Sequence, residues 1–231
     1  MNKITIAIDG FSSTGKSTVA KRLAKTLGYV FVDSGAMYRA VTLYALQNGF
    51  IEKDCFDQDQ LVDQLNNINI SFKFNEDLGF AELFLNGENV EKEIRTLEVS
   101  QFVSQIATVS EVRKQLVKQQ QNFGKDKGVV MDGRDIGTVV FPDAELKLFM
   151  TASAERRAKR RYIELIERGD DVVYDDVLEN VKTRDYIDST REDSPLMKAE
   201  DAIEIDNSNL TLEEQFEKVL NLALEKIELN E

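Results

Sequence analysis

Apolar runs and amphipathic stretches alternate along the first part of the chain. Residues 3–9 form an apolar run rich in isoleucine, which is typical of a strand buried on both faces. Apolar residues recur at helical spacing over residues 16–27, and residues 29–32 form a second apolar run. The next predicted helix covers residues 35–47, with Ser34 as its N-cap. This strand–helix alternation predicts a parallel sheet with right-handed crossovers.

The pattern changes to period two in the middle of the chain. Residues 69–74 and 79–85 alternate apolar and polar positions, and Asn86-Gly87 is a strong hairpin-turn signal. We therefore expect residues 66–91 to form a small antiparallel sheet that is inserted into the parallel framework. Helical periodicity then returns over residues 94–123.

The second half of the chain returns to alternating apolar runs and amphipathic stretches. The predicted strands are residues 128–131, 145–150 and 202–205, and the predicted helices are residues 153–167, 174–188 and a terminal helix from Leu212. The whole pattern is therefore typical of an α/β protein with one antiparallel insertion.

Composition and charge narrow the classes of function. The chain has 231 residues, which suffices for one or two domains with a substantial core, and its formal net charge is −13. This charge excludes binding to nucleic acid or anionic membranes through the overall field. Because histidine is absent, His bases and His metal ligands are excluded, and the single cysteine excludes an intrachain disulfide. No leader-like segment precedes the first predicted strand and no apolar run could span a bilayer, so we expect a cytoplasmic protein.

A glycine-rich loop carries the strongest chemical signal. Residues 10–17 match the pattern G-x-x-x-x-G-K-[ST] in full and lie between a predicted strand and a predicted helix. The two glycines allow the backbone to curl so that its N–H groups face phosphate oxygens. Lys16 can reach the β- and γ-phosphates of ATP, and the Ser17 hydroxyl can complete a Mg²⁺ shell. The predicted ATP-binding residues are Gly10, Phe11, Ser12, Ser13, Thr14, Gly15, Lys16, Ser17 and Thr18.

An aspartate follows the apolar run of residues 128–131. An acid at the carboxyl end of a strand, such as Asp132, fits the role of orienting Mg²⁺ beside a phosphate-binding loop. Ser17 and Asp132 are therefore the predicted metal ligands. The chain has no Asn-Lys-x-Asp motif for reading guanine, which disfavours a GTPase.

Arginines form the sharpest charge anomaly of this acidic chain. Five basic residues fall within residues 156–161. They indicate either a solvated helix face balanced by Glu155, Glu164 and Glu167, or a mobile lid whose guanidiniums close over a phosphoryl group. Arginine suits the second role because its planar fork binds phosphate oxygens in pairs. Further candidate phosphate ligands are Arg39, Arg134, Arg184 and Arg191.

Several motifs occur in an order that resembles one family. They are the glycine-rich loop, residues 33–39 (DSGAMYR), residues 93–96 (EIRT), residues 132–144 (DGRDIGTVVFPDA) and the segment of residues 184–191. Together they closely resemble the bacterial cytidylate kinases, which are P-loop nucleoside monophosphate kinases, over essentially the whole chain. The resemblance implies a P-loop NTPase-type parallel sheet flanked by helices, with a small antiparallel β insertion and a helical lid.

The resemblance also implies an activity and a division of the chain. The activity is transfer of the γ-phosphoryl of ATP to CMP, and to dCMP, giving ADP and CDP or dCDP, with Mg²⁺, in pyrimidine nucleotide metabolism. We expect a monomer without nucleic-acid or membrane partners. The expected division is a core of residues 1–35, 92–152 and 195–231, a monophosphate-binding region of residues 36–91, and a lid region of residues 153–194.

The resemblance assigns roles to individual positions. The implied substrate-binding residues are Ser34, Arg39, Ser104, Arg113, Arg134, Asp135, Arg184, Asp188 and Arg191. Within this set, the residues implied to bind the phosphate are Arg39, Arg134 and Arg191. Those implied to contact the cytosine ring are Ser104, Arg113 and Asp135, and those near the sugar are Arg184 and Asp188. The implied catalytic residues are Lys16, Asp132, Arg134, Arg157 and Arg161. Phe11 and Ser13 replace the family's usual Pro and Gly, from which we expect altered loop stiffness without loss of activity.

The expected chemistry needs no general base. A phosphate monoester has its second pKa at about 6, so the attacking oxygen is already an anion at neutral pH. Positioning and charge neutralisation then provide most of the rate enhancement. Two alternatives remain open: a P-loop kinase of another acceptor (uridylate, shikimate or dephospho-coenzyme A), or an ATP-binding switch without catalysis.

Overall fold

The computed structural model describes residues 2–75 and 80–229. Gly79, the first residue of one predicted strand, lies outside this range. The strands are β1 (Thr5–Gly10), β2 (Val30–Asp33), β3 (Ile51–Glu52), β4 (Cys55–Phe56), β5 (Ile70–Asn75), β6 (Phe80–Leu85), β7 (Glu88–Asn89), β8 (Val129–Gly133), β9 (Leu146–Thr151) and β10 (Ile203–Asp206). The helices are α1 (Lys16–Leu27), α2 (Ser34–Gln47), α3 (Gln58–Gln64), α4 (Leu97–Ile106), α5 (Ser110–Phe123), α6 (Ala154–Glu167), α7 (Tyr174–Thr190) and α8 (Leu212–Glu228).

A five-stranded sheet has the order β10-β9-β1-β8-β2. The central strand β1 pairs in parallel with both β8 and β9, so that Ile6 lies opposite Val130 on one side and Leu146 on the other. All six residues of β1 are buried. A strand with paired neighbours and helices on both faces has no solvated side, which explains its continuous apolar sequence. The predicted parallel framework is confirmed.

The chain forms two compact units, which are described separately. The first comprises Met1–Phe31 and Phe123–Glu231. Its core lies between the parallel strands and the helices α1 and α8, which bury Leu23 and Val219 completely. Burying side chains of this size stabilises the unit by roughly 1.5–3 kcal/mol each relative to exposure.

The second unit is Val32–Asn122. In it α2 packs against α4, and β5, β6 and β7 form a three-stranded antiparallel sheet. Ile70 lies opposite Leu85, and the turn at Asn86-Gly87 joins β6 to β7 as the hairpin signal predicted. The predicted antiparallel insertion is confirmed over the residues that the structure describes.

Two local predictions were wrong. The N-cap of α2 is Asp33, whose Oδ1 accepts a hydrogen bond from the Ala36 N–H at 2.8 Å, and Ser34 is the first helical residue. The expected helix over residues 94–123 is interrupted: Thr96 caps α4, and a turn separates α4 from α5. The turn is stabilised because the guanidinium of Arg113 donates to the Ala107 carbonyl at 3.2 Å, which satisfies a helix-terminal acceptor.

The described helices include none that is both long enough and apolar enough to cross a membrane.

Candidate active site

The glycine-rich loop lies between β1 and α1, as the sequence predicted. A Cβ added to Gly10 would lie 2.0 Å from the Met150 carbonyl oxygen, so only glycine fits there. Gly15 has a φ of 85°, in the left-handed region that favours glycine. Ser13, where the resembled family usually has Gly, also has a positive φ of 58°. The loop therefore holds one non-glycine residue in a conformation that costs of the order of 1–2 kcal/mol.

Lys16 lies inside this loop. Its side chain is buried, and Nζ donates to the Phe11 carbonyl oxygen at 2.7 Å. Burial, with a further contribution from the nearby Arg134, lowers the pKa of Lys16 to about 7, although Asp132, Asp9 and Asp188 oppose the shift. Lys16 and four ionisable residues of the first unit therefore lie within electrostatic reach of one another.

Ser17 and Asp132 contact each other directly. The Ser17 hydroxyl donates to Oδ2 of Asp132 at 2.7 Å, and Asp132 lies in β8 beside β1. A hydroxyl and a carboxylate are hard oxygen donors of the kind that Mg²⁺ accepts alongside waters and substrate phosphates. The two predicted metal ligands are thus adjacent, and their chemistry fits that ion.

Asp9 is a buried acid that sequence reasoning did not single out. Its two carboxylate oxygens accept from the N–H groups of Ile136 and Gly137 at 2.8 and 2.7 Å. Burial raises the pKa of Asp9 to about 7, although these two hydrogen bonds oppose the shift. The available signal was an acidic residue in an otherwise apolar strand, directly before Gly10. Asp9 connects the start of the loop to the segment that follows Asp135.

Arginines surround Asp188 in the first unit. The Arg134 Nε donates to Oδ2 of Asp188 at 2.9 Å, and Nη1 of Arg191 lies 3.8 Å from Oδ1. Burial by itself would raise the pKa of Asp188, but Arg134, Arg184 and Arg191 outweigh it, so the pKa lies below its ordinary value. We call Asp188 and these three arginines the arginine cluster. Asp135, which is buried, directly follows Arg134, and both residues come after the end of β8.

The second unit carries its own set of predicted residues. Asp33 pairs with Arg39 at 2.9 Å and with Arg95 at 3.6 Å, so a carboxylate orients two guanidiniums. Arg95 belongs to the motif of residues 93–96, and it was not among the predicted site residues. Arg113 is 2% exposed, and its guanidinium carbon lies 5.5 Å from the centroid of the Tyr38 ring. The remaining predicted residues of this unit, both buried, are Ser34 and Ser104.

The basic run of residues 156–161 lies in α6, and its arginines have different partners. Arg161 pairs with Glu164 at 3.1 Å, as the solvated-face interpretation expects. The buried Arg157 donates to both carboxylate oxygens of Asp185 at 2.9 and 2.6 Å.

Arg157 and Arg160 also reach the glycine-rich loop. Arg157 donates to the Ser12 carbonyl oxygen at 3.4 Å and its guanidinium lies 5.1 Å from the Phe11 ring centroid. Arg160 donates to the Thr14 carbonyl oxygen at 3.4 Å. Two of the basic residues therefore contact backbone carbonyls of the loop, an arrangement that neither interpretation of the run had included.

Within the first unit, this arrangement brings together the groups that phosphate transfer needs. A curled backbone, a buried lysine, a candidate metal pair and clustered guanidiniums can hold phosphate oxygens and neutralise their charge.

Comparisons with known proteins identify the family of the chain. The family model for cytidylate kinase matches residues 6–225. The cytidylate kinase of Flavobacterium johnsoniae is 66% identical over 230 residues, with 100% of both chains covered. That of Parabacteroides distasonis is 61% identical, with 93% of this chain and 94% of the relative covered. That of Bacteroides fragilis is 59% identical, with 94% and 95% covered. The chain therefore belongs to the cytidylate kinase family.

Proposed function

We propose that the protein transfers the γ-phosphoryl of ATP to CMP, giving ADP and CDP, and that it also accepts dCMP. The observation that carries the proposal is the position of Arg134. It directly follows β8, whose Asp132 accepts a hydrogen bond from Ser17 of the loop at 2.7 Å, and it donates to Asp188 at 2.9 Å. A lysine that serves the donor phosphates thereby lies beside the arginine cluster, which can take a second phosphate. Two polyanions need such a set of cations before they can react.

The proposed ligands of the acceptor follow the family resemblance. The guanidiniums of Arg39, Arg134 and Arg191 bind its phosphate, and an arginine fork is suited to this because it offers paired donors. Asp135 accepts from the exocyclic amine of cytosine, a donor that uracil lacks. The other proposed contacts are Ser34, Ser104 and Arg113 in the second unit, and Arg184 and Asp188 in the first.

Ser17 and Asp132 would hold Mg²⁺ together with the donor phosphates. The bound ion would neutralise negative charge on the phosphate oxygens. The adjacency of hydroxyl and carboxylate at 2.7 Å supports this assignment.

The protein's own residues position the two nucleotides and neutralise the charge of their phosphates, and none of these residues has to remove a proton. The acceptor phosphate is anionic at neutral pH because its second pKa is about 6. In the proposed mechanism Lys16 binds the donor phosphates in its charged form, since an adjoining polyanion favours the ammonium and opposes the effect of burial. Arg134, with Arg157 and Arg161 as further proposed catalytic residues, stabilises charge on the transferring group. Excluding water prevents hydrolysis of ATP, and the lid of residues 153–194 is the proposed means.

The remaining assignments are also proposals. We infer a cytoplasmic monomer, and a division of the chain into a core, a monophosphate-binding region of residues 36–91 and the lid. Family membership supports the cytoplasmic assignment.

ADP release from ATP and Mg²⁺ tests the proposed function. CMP and dCMP are expected to give rapid release, whereas UMP, shikimate and dephospho-coenzyme A give little. The Lys16→Ala variant should lose roughly 10²–10³-fold in turnover, as when one stabilising donor is removed from a transition state. ATP binding without acceptor-dependent release of ADP would instead indicate a nucleotide-binding switch. A preference for another acceptor would show that the protein is a kinase of that acceptor. Near-normal turnover of Lys16→Ala would contradict the role of the loop.

A further inference from the structure

The carbonyl group of Thr14 is the focus of an unassigned network in the first unit. Thr14 is fully buried and directly precedes Gly15. Its carbonyl oxygen accepts from Nδ2 of Asn207 at 2.6 Å and from the guanidinium of Arg160 at 3.4 Å. Asn207 directly follows β10 and has no exposed surface. A buried side chain from a distant part of the chain thus contacts the backbone of the phosphate-binding loop.

Asn207 is held rigidly by its own neighbours. Its Nδ2 also donates to Oε1 of Gln215 at 2.8 Å, and its Oδ1 accepts from Arg160 at 3.0 Å. Its backbone N–H donates to the Thr151 carbonyl at 2.9 Å. The side chain is therefore oriented through both its amide oxygen and its amide nitrogen, so the donor toward Thr14 cannot rotate away without breaking other bonds.

Fixing this carbonyl also fixes an N–H group on the opposite side of the same peptide unit. The peptide between Thr14 and Gly15 is planar, and in a trans peptide the C=O and N–H bonds point in opposite directions. The carbonyl of Thr14 points toward Asn207 and Arg160, so the N–H of Gly15 points away from them. Gly15 allows this plane because its φ is 85°.

We propose that Asn207 is a positioning residue for the donor nucleotide: it fixes the Thr14–Gly15 peptide unit so that the Gly15 N–H faces the phosphates. Because Asn207 is fully buried, it acts through the loop and not by touching the nucleotide. Preorganised backbone donors bind phosphate without an orientation cost at the time of binding. The proposal deepens the proposed function and rests on it for the identity of ATP as donor.

Substitutions at Asn207, with a matched control on the same segment, test the proposal. Asn207→Ala removes the donor to Thr14, whereas Asn209→Ala removes an exposed amide two residues away. The dissociation constant of a non-hydrolysable ATP analogue, measured by calorimetry, should rise about tenfold in Asn207→Ala, or about 1.4 kcal/mol. It should stay within about twofold of the wild-type value in Asn209→Ala. Asn207→Ser, whose hydroxyl can still donate, should recover part of the loss.

Kinetic constants separate positioning from a general loss of structure. Asn207→Ala should raise KM for ATP and leave KM for CMP unchanged, because the arginine cluster is not altered. A merely structural role would lower the melting temperature and the active fraction without changing the affinity of the folded fraction for the ATP analogue. Unchanged affinity in a folded Asn207→Ala variant would overturn the proposal.

A second variant and a binding assay without acceptor allow the role of Asn207 to be tested separately from folding and from the proposed function. Asn207→Leu keeps the branching of the side chain without the donor, and it replaces Asn207→Ala if the cavity prevents folding. Since binding of the analogue needs no acceptor, the outcomes are distinguishable. A wild-type protein that binds ATP but does not phosphorylate CMP refutes the proposed function, while weakened binding in the variant still supports the role of Asn207. CMP phosphorylation with unaltered ATP affinity in the variant refutes this inference alone.

Discussion

The substitution Asp188→Asn removes the charge at the centre of the arginine cluster and keeps the shape of the side chain. Asp188 is 5% exposed and Arg191 is 7% exposed, so the pairing takes place largely out of water. Breaking a buried ion pair by removing one partner costs about 3–5 kcal/mol. Because the amide oxygen of Asn can still accept from Nε of Arg134, we expect the lower end, about 3 kcal/mol. For a chain of this size, that loss lowers the melting temperature by roughly 6–12 °C.

The same variant changes the response to pH and to ligands. The pKa of Asp188 is lowered in the folded protein, so its contribution to stability is present above the unfolded pKa of about 4 and disappears as the pH falls through the folded pKa. The acid limb of the stability curve should therefore be shallower in Asp188→Asn. Without the carboxylate, the clustered guanidiniums repel one another, so added inorganic phosphate should stabilise the variant more than it stabilises the wild type.

Thermal unfolding followed by circular dichroism, with and without inorganic phosphate, measures both effects. Glu192→Gln removes one exposed charge from the same segment and is the matched control. A melting temperature of Asp188→Asn as high as that of Glu192→Gln would refute the reasoning, since the arginines would then not depend on Asp188. Equal stabilisation of variant and wild type by phosphate would contradict the account of repulsion.

Three further predictions concern a catalytic residue, a substrate-binding residue and a metal ligand. Because its pKa is about 7, Lys16 is mostly neutral at pH 8 in the free protein. Bound phosphates favour the charged ammonium, so binding of an ATP analogue should take up about one proton at pH 8 and little at pH 6. Calorimetry in two buffers of different ionisation enthalpy detects this proton uptake, and Lys16→Met should abolish it. Equal heats of binding in the two buffers at pH 8 would contradict the prediction. Asp135→Ala should erode the preference for CMP over UMP in an ADP-release assay, and an equal loss with both acceptors would argue against its role in reading cytosine. Ser17→Ala should raise the Mg²⁺ concentration for half-maximal activity about tenfold, the effect typical of weakened metal coordination; an unchanged Mg²⁺ requirement would remove Ser17 from the proposed metal ligands.

Most of the strands and helices could be predicted from the sequence because the patterns that indicate them are local. The apolar run of β1 reflects neighbours on both sides, and the Asn-Gly turn between β6 and β7 reflects backbone conformations that few residues adopt. Helix boundaries were less accurate. Competing caps at Asp33 and Ser34 differ only in which side chain reaches the free N–H groups, and the break after α4 depends on a contact made by Arg113.

The phosphate-binding loop follows from local sequence, since glycines, lysine and serine at fixed spacing impose its conformation and chemistry. The partners of the basic run, in contrast, depend on the tertiary structure. Arg157 and Arg160 contact loop carbonyls 145 and 146 residues away, and Asn207 contacts one 193 residues away. A charged or amide side chain can pair with many acceptors along a chain, and its choice is fixed by which strands and helices lie side by side. No local spacing encodes that arrangement.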